Sequence, residues 1–143
     1  MPDIKHSLII KSSTKQVFDA ISTPAGMDEW WTKKSAGIPT LGEVYQLYFG
    51  PDFDWRATVV KCLPNVDFEL KIDEAYEFWT GTNVGFHLEE KEDITQLDFH
   101  HTGWVVEVDN FRESSYCWAM YLRILKRYLE FGETVPYENR LDV

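Results

Sequence analysis

The sequence predicts an α+β fold: a curved antiparallel sheet of about six strands wrapped on a long C-terminal helix, with two short helices after the first strand. Three observations predict it. Apolar residues alternate with period two through much of the stretch from Leu41 to Trp104, as in strands with one wet and one buried face. Two helix-start signals follow each other closely between Ser13 and Pro24. Beyond Asn110 the apolar spacing changes to three and four residues and holds up to Gly132.

The elements follow in order. "IKHSLIIK" (4–11) reads as a strand with Ile4, His6, Leu8 and Ile10 on one side. Ser13 and Gln16 have capping-box spacing, and Val17, Phe18 and Ile21 form one stripe of the helix they open. Thr23-Pro24 starts a second short helix, with Asp28 and Glu29 near its positive end and Trp30-Trp31 closing it. "VYQLYF" (44–49) and "FDWRATVVKCL" (53–63) flank the turn Gly50-Pro51-Asp52, and Pro64-Asn65 marks the next turn. "VDFELKID" (66–73), "NVGFHLEE" (83–90) and "TQLDFHHTGW" (95–104) complete the strands. Asn110 and Glu113 have capping spacing for the last helix, and Gly132 stops it after Lys126 and Arg127. A helix of roughly 20 residues is about 30 Å long, enough to cross the buried face of a sheet.

A chain of 143 residues fits one domain, 1–143, and its 44% hydrophobic and 15% aromatic content supports a core or an apolar cavity. Fourteen basic against 24 acidic residues give a net charge of −10, which argues against nucleic acid and anionic membranes as partners. Cys62 and Cys117 lack CxxC spacing and read as reduced thiols. The start lacks an apolar signal segment, and no run approaches the ~18 apolar residues of a membrane span, so a cytoplasmic location without stable membrane insertion is expected.

This order of elements, with "KQVFDAISTPAGMDEWWT" (15–32), "WRATVVKCLPN" (55–65), "TQLDFHHTGW" (95–104) and "WAMYLRILKRYLEFGETVPY" (118–137), resembles the helix-grip fold of the START/SRPBCC superfamily, whose members include plant pollen allergens. Within it the sequence is most similar to the Aha-type family, the homologues of the heat-shock-protein-90 ATPase activator. It departs at Ala57, where the family often carries glycine, and in the short segment between Ser35 and Trp55. The resemblance implies a sheet curled on the C-terminal helix, often around a cavity that holds a lipid, sterol, polyketide or other apolar ligand.

Candidate ligand-binding residues are the inward strand positions Phe68, Leu70, Phe86, Leu88, Phe99 and His101, the helix residues Trp118, Tyr121 and Leu122, and the pair Trp30 and Trp31. Adjacent helical side chains diverge by about 100°, so one tryptophan is expected in the core and the other at the mouth of a cavity. His6 and His101 are expected to face inward and give the interior a polar end. Arg56, Tyr45, Tyr48 and Tyr121 are further polar candidates. His100 and His101 must point to opposite faces of a strand, and Glu89, Glu90, Glu92 and Asp93 lack calcium-loop spacing, so no metal is expected. No cofactor fingerprint or catalytic motif is present. Three functions compete: a carrier of a hydrophobic small molecule, placed first; a cyclase-, aromatase- or hydrolase-like enzyme using the same interior; and a co-chaperone-like interaction module. Outward aromatics on 44–49 leave a homodimer as an option.

Overall fold

Residues 2–105 and 109–143 are described by a computed structural model. The chain runs β1 (Ile4–Ile10), α1 (Thr14–Ser22), α2 (Pro24–Met27), β2 (Lys34–Ala36), β3 (Val44–Tyr48), β4 (Asp54–Leu63), β5 (Asp67–Glu74), β6 (Asn83–Lys91), β7 (Ile94–Thr102), α3 (Asp109–Phe131) and a 3₁₀ turn, Tyr137–Asp142. The strands form one antiparallel sheet in the order β1-β7-β6-β5-β4-β3-β2. The first and last strands are thus neighbours, Ile4 opposite His101 and Ile10 opposite Thr95. Register shifts at Arg56/Ala57 and Val59/Lys61 bend β4. The sheet curls on α3, the helix-grip architecture expected from the resemblance.

Both short helices start where the caps indicate. Ser13 accepts from the Gln16 amide, and Thr23 accepts from the Gly26 amide with Pro24 at the first helical position. A Cβ on Gly26 would sit 2.5 Å from the Asp19 carbonyl oxygen and 2.6 Å from the Ala20 Cα, so α2 meets α1 backbone to backbone. Gly26→Ala is therefore expected to cost about 1–3 kcal/mol, seen as a lower urea midpoint at unchanged slope.

Four expectations need correction. The sheet has seven strands, because Lys34–Ala36 pairs with β3 although three residues show no alternation. The second helix ends at Met27, so Asp28 stands at its C-terminal end, not its start, and its carboxylate accepts from the Thr32 and Ser35 hydroxyls. Trp30 and Trp31 lie beyond that helix, in a turn where the amides of Trp30, Trp31 and Thr32 all converge on the Met27 carbonyl. Asn110, read from the sequence as a cap, lies inside α3, whose described part runs from Asp109. The Asn110 side chain accepts instead from the Tyr76 hydroxyl, and residues 106–108 lie outside the described residues. Among the described residues no helix is long and apolar enough to cross a membrane. Cys62 and Cys117 are free and half-buried.

Candidate functional site

The pleat decides which side chains meet α3. Phe68, Phe86 and Phe99 stand in one row across β5, β6 and β7, and Leu70, Val84 and His101 in the next. All six are buried, as are Leu88, Leu122, Trp30, Trp31 and Trp118, while Tyr121 is half-buried. Trp118 is the hub: its ring lies 4.5 Å from Phe99, 5.2 Å from Trp31 and 5.7 Å from Trp79. Tyr121 meets it at 6.3 Å. Phe86 joins Trp30 at 6.0 Å and Phe99 at 5.3 Å. Phe68 belongs to the α1 side, against Phe18 and Tyr45. Rings in contact thus fill much of the space between sheet and helix.

The tryptophan pair does not divide its work between core and mouth. Both rings enter the core, 0% and 2% exposed, stacked 6.0 Å apart. The 100° divergence of adjacent residues holds in a helix, and here the helix has already ended. Trp30 Nε1 donates to the Ala20 carbonyl, which locks the turn onto α1. Sequence reasoning passed over Phe49, Trp55, Tyr76, Trp79 and Trp104. The alternation Trp55, Ala57, Val59 could have placed Trp55 inside, whereas Trp79 sits in the turn between β5 and β6, where no period signals burial.

His101 is fully buried and occupied at both nitrogens. Trp118 Nε1 donates to its Nδ1, so Nε2 carries the hydrogen and donates to Thr82 Oγ1, which donates to the Trp79 carbonyl. Burial, with His100 adding a smaller effect, pushes its pKa down to about 3. At neutral pH this imidazole is a neutral hydrogen-bonding group, not a proton shuttle. His6 also faces inward but stays half-buried and reaches Ser115 on α3. The two histidines share a face without sharing a partner. His100 points outward to Glu69 across Gly85, as the strand pleat requires. Trp104 is 2% exposed, and its Nε1 has no hydrogen-bond partner among the described residues.

Of the other polar candidates, Tyr45 is buried with its hydroxyl donating to the Ser22 carbonyl, and burial raises its pKa. Burial raises Tyr121 to about 12. Arg56 is paired with Asp54 at the start of β4. Tyr48 alternates outward from buried Tyr45 and Leu47.

The C-terminal tail straps this core. Arg140 is 4% exposed and donates to the carbonyls of Asp28, Thr32 and Val135, and Tyr137 donates to the Phe49 carbonyl. Its guanidinium thus holds both ends of the Trp30-Trp31 turn. Arg140→Met leaves those buried carbonyls unpaired and is expected to cost about 1.5–3 kcal/mol, visible by calorimetry as a lower Tm.

At the opposite side α3 lies along the edge strand, His6 reaching the Ser115 carbonyl and Lys126 donating to the Ile9 carbonyl. His6 and Leu8 face inward yet are only half-buried, and a cleft of about 350 Å³ opens between β1 and α3. It is lined by His6, Leu8, Ile9, Ala119, Leu122 and Arg123 among others. His6 stacks on Phe99 at 6.2 Å, so this seam leads to the aromatic interior.

The fold recurs in solved structures. The Aha1 dimer from Colwellia psychrerythraea, determined in solution, is 29% identical with a TM-score of 0.84, over 93% of this chain and 99% of that one. A Staphylococcus saprophyticus protein is 20% identical with a TM-score of 0.80, over 94% and 96%. A Bacillus halodurans protein is 21% identical with a TM-score of 0.76, over 91% and 98%. No curated protein matches the chain. The model of the family described as Activator of Hsp90 ATPase homolog 1-like protein matches residues 11–130, and the chain belongs to that family.

Proposed function

We propose that this protein binds a hydrophobic small molecule between the sheet and α3. The observation that supports this is the seam: inward-facing His6 and Leu8 remain half-buried where a cleft opens between the edge strand and the helix, beside the Phe99–Trp118 pair. An apolar ligand entering there meets Leu122 and Phe99 first. It reaches Trp30, Trp31, Phe86 and Trp118 by shifting rings, with Tyr121 at the margin; Phe68, Leu70 and Leu88 form the wall behind. His101, neutral and saturated, keeps its ring orientation and contributes shape. Nothing in this reading requires a metal or cofactor.

The test is a thermal-shift screen against fatty acids, sterols and aromatic metabolites. A ligand held only by the native state stabilises it by about 2.7 kcal/mol at a hundredfold excess over Kd. A reproducible rise in Tm for one class supports the reading, and a flat response to the whole library contradicts it.

A second reading is favoured by a different observation. Val44 and Val60 on β3 and β4, with Ile38 and Leu41 in the loop before β3, are exposed apolar side chains. The loop is tied to β4 at Val59, so these residues lie on one end of the sheet. Together with the dimeric state of the Colwellia Aha1, this supports self-association. Light scattering distinguishes a species of twice 16.8 kDa from one of 16.8 kDa.

A further inference from the structure

The seam between β1 and α3 differs electrostatically from its surroundings. Ala119, Leu122, Arg123 and Lys126 line it from α3. Their spacing of three, four and seven residues puts them on one helical face, spanning about 10 Å. The strand supplies inward-facing Leu8 and the Ile9 carbonyl that Lys126 reaches, and the small side chain of Ala119 leaves the groove open opposite them. Its volume is at the lower end of the range that holds small ligands, about 300 Å³ upward.

Its ionisable lining is unusual for this chain. The protein carries 24 acidic and 14 basic residues, and other surface clefts include carboxylates, Asp3 and Asp98 in one, Asp19 and Glu29 in another, Glu90 and Asp93 in a third. Among the described residues no carboxylate lines the seam. Lys126 is engaged with the Ile9 carbonyl and with Glu130. Arg123 is exposed and makes no hydrogen bond or ion pair among the described residues. An unpaired guanidinium above an apolar floor, on a chain where carboxylates outnumber cations, is a vacant partner for an anion with a hydrocarbon body. A guanidinium can take a carboxylate through two parallel hydrogen bonds, a stronger contact than a neutral hydroxyl makes.

We propose that the seam is a site for an amphiphilic carboxylate, a fatty acid of medium chain length, with Arg123 holding the carboxylate and Leu8, Ala119 and Leu122 lying along the acyl chain. This rests on the small-molecule reading above and assigns it a ligand class and a head-group residue. Lys126 stands one helical turn on and adds positive potential without giving up its own partners. The attraction is partly solvent-exposed, so affinity falls as salt rises.

The test compares sodium decanoate with 1-decanol, probes of equal length and different charge, by amide NMR titration of the full chain. Decanoate is expected to bind at least tenfold more tightly than decanol, with shifts centred on residues 6–9 and 119–123. Arg123→Gln, a surface change that leaves the fold intact, is expected to erase that difference. Ala119→Trp, which fills the groove, is expected to weaken both probes tenfold or more. Equal binding of the two probes, or a difference that survives Arg123→Gln, overturns the carboxylate site while leaving small-molecule binding standing. Undiminished binding in Ala119→Trp overturns the seam as the seat. If neither probe binds, the fatty-acid site falls, and the small-molecule reading is then decided by the thermal-shift library.

Discussion

Trp118→Ala is expected to destabilise the protein by about 4–5 kcal/mol, the upper end for truncating a large buried aromatic. Trp118 is 1% exposed and touches Trp31, Trp79, Phe99, His101 and Tyr121, so its removal opens the centre of the aromatic cluster. It also deprives His101 Nδ1 of its donor. That second effect can be isolated by comparing Trp118→Phe with Trp104→Phe. Both residues are almost fully buried, but the Trp118 N–H has an acceptor and the Trp104 N–H has none among the described residues. Trp118→Phe should therefore be the costlier by about 1–3 kcal/mol in chemical denaturation. Equal costs would show that the Trp118–His101 hydrogen bond contributes nothing.

The second large effect is loss of stability in mild acid. The His101 pKa lies near 3 in the folded chain and about 6.5 when unfolded. Between those values the unfolded chain binds the additional proton, so stability falls as pH falls, by about 1.4 kcal/mol per pH unit. From pH 6.5 to 4.5 the expected loss is about 2.3 kcal/mol. Below that window the carboxylates of Glu69 and Asp98, held low by their hydrogen bonds to His100 and Ser7, add a loss of the same sign. His101→Gln should be less stable at neutral pH, yet nearly flat between pH 6.5 and 4.5. Urea midpoints at several pH values read this directly, and an unchanged slope in His101→Gln would remove His101 as the cause.

Much of the fold was legible in local signals. The alternation in β5, β6 and β7 placed Phe68, Phe86, Phe99 and His101 on one face, and Ser13 and Thr23 announced their helices because capping is a short-range interaction. The features missed arise from distant partners. Lys34–Ala36 is a strand only because β3 supplies its hydrogen bonds. Arg140 belongs to a charged tail that reads as solvated, and its burial comes from carbonyls more than a hundred residues away. Both tryptophans of the pair face inward because Met27 ends the helix early and gathers three amides onto one carbonyl. The seam depends on how α3 lies against β1, which no local period encodes. The aromatic composition of the interior was readable; the degree to which rings fill it was not.

On the proposed function, an apolar molecule enters between β1 and α3 and reaches the ring cluster. Fluorine NMR of protein labelled with 5-fluorotryptophan at its six tryptophans tests it, with 1-decanol as a neutral probe. A saturable shift of the Trp118 resonance, assigned through Trp118→Phe, is expected, with a smaller response from Trp31. Six resonances that stay in place up to the solubility limit of the probe would contradict it.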